Sequence, residues 1–152
     1  MRKGKGFSVV WGAAGVLFVA GLLFAHHSNS IYDEETYISL TGAVSKFEFI
    51  NPHVLVHLDV KDAAGNVVTW ATLGGPPNRM SKGSGWTSKT FRQGEELTII
   101  GFPFRDGRPG MLFQKIIRAG GEAVPLSETV TSFSRRQERE IPISRQYGTK
   151  SK

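Results

Sequence analysis

From residue 36 onward the chain alternates apolar and polar side chains with a period of two, and the places where the alternation slips are as informative as the alternation itself. Ile38, Leu40 and Val44 share one parity, whereas Phe47 and Phe49 take the other. A slip of one residue inside a strand is what a β-bulge produces. Residues 36–50 therefore predict one long bent strand, with the bend at Gly42 and the Ser45-Lys46 pair. Asn51-Pro52 interrupts pairing, because proline has no N–H to donate. Residues 53–60 then give the cleanest pattern in the chain. Val54, Val56, Leu58 and Val60 point one way, and His53, Leu55, His57 and Asp59 the other, as in a half-buried strand. Residues 61–66 read as a hairpin loop in which Gly65 supplies positive φ. Residues 66–73 form a third strand, with Val68 and Trp70 on one face. Gly74-Gly75-Pro76-Pro77 ends the run. Residues 78–82 predict a short helical turn and residues 87–91 a second, with Thr87 or Ser88 as its cap. Residues 96–104 and 111–119 are the fourth and fifth strands, joined by the turn-rich 105–110. In the fifth, Leu112 and Ile116 are expected to pack, together with Phe113 and Ile117.

The order strand, strand, strand, short helix, strand, strand predicts a mainly β domain. A long bent first strand and a helical piece between strands three and four match a small five-stranded Greek-key barrel of the oligonucleotide/oligosaccharide-binding (OB) kind. A small β-sandwich is the alternative architecture, with the same core.

The first 25 residues follow a different pattern. Arg2, Lys3 and Lys5 form a basic start, residues 7–25 carry no charge, and Ala25 stands where a small residue is needed for cleavage. This is the order of a secretory signal helix, so the expected location is the periplasm. The alternative is an inner-membrane anchor formed by residues 7–25, a run just long enough to span a bilayer. The expected division is signal peptide 1–25, extended N-terminal arm 26–35, β-barrel domain 36–122, and a basic, disordered tail 123–152.

Charge narrows the range of partners. Nineteen lysines and arginines face thirteen acids. Three bases fall in the first 25 residues, and six bases face three acids from residue 128 onward. Residues 26–127 thus hold ten of each. A neutral domain argues against nucleic acid as a partner, since that needs a basic face. Membrane contact is expected only through the signal segment, if it is uncleaved. The absence of cysteine excludes thiol nucleophiles, thiolate zinc sites and iron–sulfur clusters.

AHHS at 25–28, FEFINPHV at 47–54, Gly85-Trp86, QGEELTIIG at 93–101 and FRDGRPG at 104–110 occur in an order that resembles a family of short exported proteobacterial proteins of unknown function. The resemblance covers roughly residues 25 to 120. Glu95 stands where that family usually has aspartate, and no tryptophan lies near Phe49. The resemblance implies an exported β-rich domain and supplies no activity.

Four histidines carry the candidate chemistry. Cleavage after Ala25 would make His26 the first residue, offering its α-amine and a ring nitrogen to one metal. With one more imidazole this is a three-nitrogen set suited to Cu(II). His27 can join through its ring and backbone, and His53 or His57 can supply the extra ligand. Four residues along a strand is about 13 Å, whereas metal ligands lie about 2 Å from the ion. At most one strand histidine can therefore share a site with His26, and His53, beside the Asn51-Pro52 break, is the better placed. In the competing reading, His53 pins the bend and His57 is a solvated strand residue. Trp70 and Trp86 are candidates for a platform that stacks a sugar or other flat ligand, although large aromatics more often fill cores. GxSxG, HExxH and P-loop motifs are absent, and Asp33-Glu34-Glu35 reads as a solvated arm. The expectation is a binding protein, not an enzyme. Its first candidate ligand is copper or a similar divalent metal, and the alternative is a non-metal ligand- or protein-binding module around Trp70 and Trp86.

Overall fold

The computed structural model describes residues 31–126 and 142–148. The signal segment, His26 and His27 lie outside the described residues. The strands are β1 (Tyr37–Phe49), β2 (Val54–Lys61), β3 (Val67–Leu73), β4 (Glu96–Pro103), β5 (Gly110–Arg118) and β6 (Ile143–Tyr147), and one helix, α1 (Pro77–Ser84), lies between β3 and β4. Among the described residues no helix is long and apolar enough to cross a membrane.

β1 holds the barrel together because it is long enough to serve two neighbours. Its first half pairs antiparallel with β4, from Ile38↔Gly101 to Ala43↔Glu96. Its second half pairs antiparallel with β2, from Ala43↔Asp59 to Phe49↔Val54. β2 continues to β3, β3 runs parallel to β5, and β5 returns antiparallel to β4. The ring β1-β2-β3-β5-β4 closes on itself, which is the OB-type barrel. The β1–β2 register slips between Val44 and Lys46, the second of the two bends expected. That slip lets Val44 and Phe47 both reach the interior.

A second slip was not anticipated. The β4–β5 register shifts between Ile100 and Gly101, which pair with Lys115 and Phe113. Gln114 is the extra residue. Met111, Phe113 and Ile116 are therefore buried, while Leu112 and Ile117 are only half-buried, against the expectation that both pack inside. The core joins Ile38, Leu40, Val44, Val54, Val56, Leu58, Val60, Leu97 and Ile99 to these three. α1 adds Met80, fully buried, and ends at Gly85, whose φ of 70° fits the left-handed cap position.

The tail also departs from expectation. Residues 142–148 fall in the stretch read as disordered, yet β6 pairs parallel with β1 through Tyr37↔Ile143 and Leu40↔Tyr147. β4 occupies one edge of β1 there, and β2 takes the other only from Ala43. The open edge leaves a row of backbone N–H and C=O groups, a template that accepts a strand whatever its side chains. Ser144 Oγ also donates to the Tyr37 carbonyl at 2.9 Å. Between β5 and the tail, Val124 is buried, and its N–H donates to the Ile116 carbonyl at 2.9 Å.

Candidate functional site

The corner between β1 and β2 places the first candidate. The Asn51–Pro52 peptide is cis, and both residues are exposed. His53 follows, also exposed, with Nδ1 3.1 Å from the Gly74 carbonyl. A carbonyl can only accept, so Nδ1 carries the proton, and in the neutral ring Nε2 keeps its lone pair. Val54 N–H donates to the Gly75 carbonyl and Gly74 N–H to the Val54 carbonyl, so this corner is fixed to the end of β3.

His57 is engaged differently. Its Nε2 lies 2.7 Å from Glu48 Oε1, and Lys46 Nζ lies 3.0 Å from Glu48 Oε2. The hydrogen bond from Lys46, and then that from His57, hold the Glu48 carboxyl below its ordinary range. A carboxyl lowered in the folded state adds stability above its unfolded value and loses it as pH falls through the folded one. Glu48→Gln is thus expected to flatten part of the decline in stability below about pH 4, read as urea midpoints against pH. An unchanged acid slope would remove this triad as its source. The strand holds His53 and His57 apart, and among the described residues no group of three or more His, Asp or Glu side chains converges as a metal cage.

The second candidate is a surface cleft of about 180 Å³. The parallel β3–β5 pair builds it, because Ala71 N–H donates to the Pro109 carbonyl and so draws the β4–β5 turn (105–109) against Trp70. β6 brings Arg145 and Tyr147 to the same place, the segment leading into β1 brings Asp33 and Thr36, and β1 itself brings Ile38. The Trp70 and Tyr147 rings, both half-buried, lie 5.4 Å apart between centroids. Arg105, Arg108 and Arg145 line the rim and are exposed. Arg105 Nε donates to the Tyr32 carbonyl at 3.0 Å, and the Arg108 guanidinium sits 4.9 Å over the Phe104 ring, which itself stacks on Tyr32. The hydrogen bond from Thr36, then burial working against it, then the Glu35 N–H and the charges of Arg105 and Arg145 give a net lowering of the Asp33 carboxyl, which stays ionised.

The two tryptophans therefore do not form one platform. Trp86 is 2 % exposed, its ring meets Phe47, Phe91 and Phe113, and its Nε1–H donates to the Pro125 carbonyl at 2.8 Å. A ring enclosed on all sides offers no face to a ligand, so Trp86 belongs to the core. Trp70 keeps its place beside a cleft. Sequence reading missed Arg105, Arg108, Arg145 and Tyr147. Residues 105–110 stood out only as a turn, and nothing local ties residue 145 to it.

Fold and cleft together define a small closed OB-type barrel with an open recess beside its β4–β5 turn. Comparison with known families places the chain more closely. It belongs to a family of unknown function, DUF6152, matched over residues 14–113. No curated protein matches it. The matched span includes all four histidines and both Arg105 and Arg108, whereas β6 lies beyond it.

Proposed function

We propose that this chain is an exported binding protein that takes a small ligand in the cleft beside Trp70 and performs no chemistry on it. The observation that carries the reading is the cleft, a recess with two half-buried aromatic rings beside the β4–β5 turn. OB folds bind ligands on the face of strands two and three, between their first and fourth loops. Export is supported by the basic start, the uncharged run 7–25 and Ala25 at the cut. Binding without catalysis is supported by the absence of a recognisable catalytic motif in the sequence.

A second reading, copper held by a new N-terminal His26 together with His53, is favoured by one observation. Nδ1 of His53 is fixed to a backbone carbonyl, the arrangement by which metal-binding histidines are commonly oriented. One measurement tests both readings: native mass spectrometry of the protein recovered from the exported fraction, with metal analysis of the same sample. The expected result is a chain beginning at His26 with a small-molecule adduct that Trp70→Ala loses. An adduct kept by Trp70→Ala would overturn the cleft reading. A sample without copper, and no Cu(II) affinity tighter than about 10 µM on titration, would end the metal reading.

A further inference from the structure

We propose that the occupant of the Trp70 cleft is a small ring bearing an acidic group, such as a uronate or an aryl carboxylate. The proposal rests on the cleft being a ligand site and names the chemistry it selects. Three guanidiniums stand at the rim, those of Arg105, Arg108 and Arg145. Two carboxylates lie near them, and both are already engaged. Asp33 accepts from the Glu35 N–H at 3.3 Å. Asp106 accepts from the Arg108 N–H at 3.1 Å and from Arg108 Nε at 2.6 Å. Of the residues that line the cleft three are cationic and one, Asp33, is anionic, so the lining is net positive.

Which guanidinium nitrogens are held matters more than that count. Arg105 and Arg108 are each anchored through Nε, one by the Tyr32 carbonyl and one by Asp106. Among the described residues their terminal amino groups have no hydrogen-bond partner. Anchoring at Nε restrains a guanidinium while leaving its outer N–H groups to face a ligand. The planar fork then matches a carboxylate or phosphate, with charge-assisted bonds stronger than neutral ones. Arg108 is further restrained by its position over Phe104.

Size and floor complete the specification. The cleft, about 180 Å³, falls below the roughly 300–1,000 Å³ typical of drug-sized sites. It suits one ring and its acidic group, not a dinucleotide or a buried length of polymer. Trp70 and Tyr147 supply amphipathic ring faces against which such a ring can pack.

The test is ¹⁵N-resolved NMR titration of the full chain in detergent with glucuronate, benzoate and glucose. Glucuronate and benzoate are both acidic rings and tell a sugar source from an aryl one, and glucose is the neutral twin of glucuronate. At least one acid is expected to move the Trp70 indole and the amides of residues 105–108, at least tenfold more tightly than glucose. Arg145→Ala and Arg108→Ala are each expected to weaken it about tenfold with unchanged dispersion elsewhere, while Arg145→Lys keeps part of the affinity. Glucose binding as tightly as the acids, indifferent to both arginine variants, would overturn the acidic class and leave the cleft reading standing. If none of the three moves a cleft resonance, both the class and the site fall.

Discussion

Trp86→Ala is expected to cost about 3–5 kcal/mol of stability, the range for removing a buried aromatic side chain. Three ring contacts and one hydrogen bond converge on this side chain. Its ring stands edge-on to Phe47 and Phe91 and stacked against Phe113, at centroid distances of 6.2, 5.1 and 5.9 Å. Its N–H holds the Pro125 carbonyl, tying the chain after β5 to the barrel. Alanine would leave a cavity among rings too large to collapse into it, and the Pro125 carbonyl would lose its donor. For a domain whose total stability is about 5–15 kcal/mol, the variant should sit near the edge of folding. Urea denaturation should show a midpoint lower by more than about 1 M. Trp86→Phe keeps most of the packing and loses the hydrogen bond, so it should fall between. A midpoint unchanged in Trp86→Ala would mean that the ring does not fill the core and would return it to the candidate ligand face.

That contrast shows what kind of information the sequence carries. The bend in β1 was legible because Ile38, Leu40 and Val44 are apolar on one parity and Phe47 and Phe49 on the other, so the slip leaves a visible trace. The same device in β5 left none. Leu112-Phe113 and Ile116-Ile117 are apolar in both phases, so either parity satisfies the pattern, and only the pairing partners on β4 choose between them. β6 was illegible for a related reason. Its bonds to β1 are made by backbone, its side chains are largely exposed, and a polar sequence can add to an open edge without any apolar alternation.

The candidate site divides along the same line. His53 and His57 were read from the sequence either as metal ligands or as a bend residue and a solvated strand residue, and what each ring touches is set by geometry alone. One ring is pinned by a backbone carbonyl and the other by Glu48, a diagonal neighbour across the β1–β2 pair. The cleft could not have been read at all. Its rim comes from residues 33, 105, 108 and 145 and its floor from Trp70 and Tyr147. Those positions meet only because β3 runs parallel to β5 and β6 parallel to β1. Pairings between strands distant in the chain have no local signature. A turn such as 105–110 announces its shape but not the aromatic ring it will lie against.

The second large effect is expected at Gly42, where β1 passes from one neighbour to two. Gly42 pairs with Leu97 of β4, and the next residue, Ala43, pairs with both Glu96 of β4 and Asp59 of β2. A Cβ at Gly42 would run into the Asp59 carbonyl and come within 3.2 Å of Val60 Cγ2. The obstacle is backbone, so no rotamer change relieves it, and β2 must move away from β1. Overpacking of this kind usually costs about 1–3 kcal/mol. Gly42→Ala should lie at the upper end, because the displaced strand is the one that closes the ring. The loss should appear in urea denaturation and as faster amide exchange along β2, starting at Val60. β6 shares that edge of β1 a few residues away, and Gly148 lies against the Thr41 carbonyl. The same substitution should therefore loosen Tyr147 from Trp70 and blunt any ligand response of the cleft. A cost below about 0.5 kcal/mol, within the range of ordinary surface changes, would mean that β1 and β2 do not meet at Asp59. The sheet would then be open at this seam, as in the sandwich architecture, and the cleft would lose the frame that positions it.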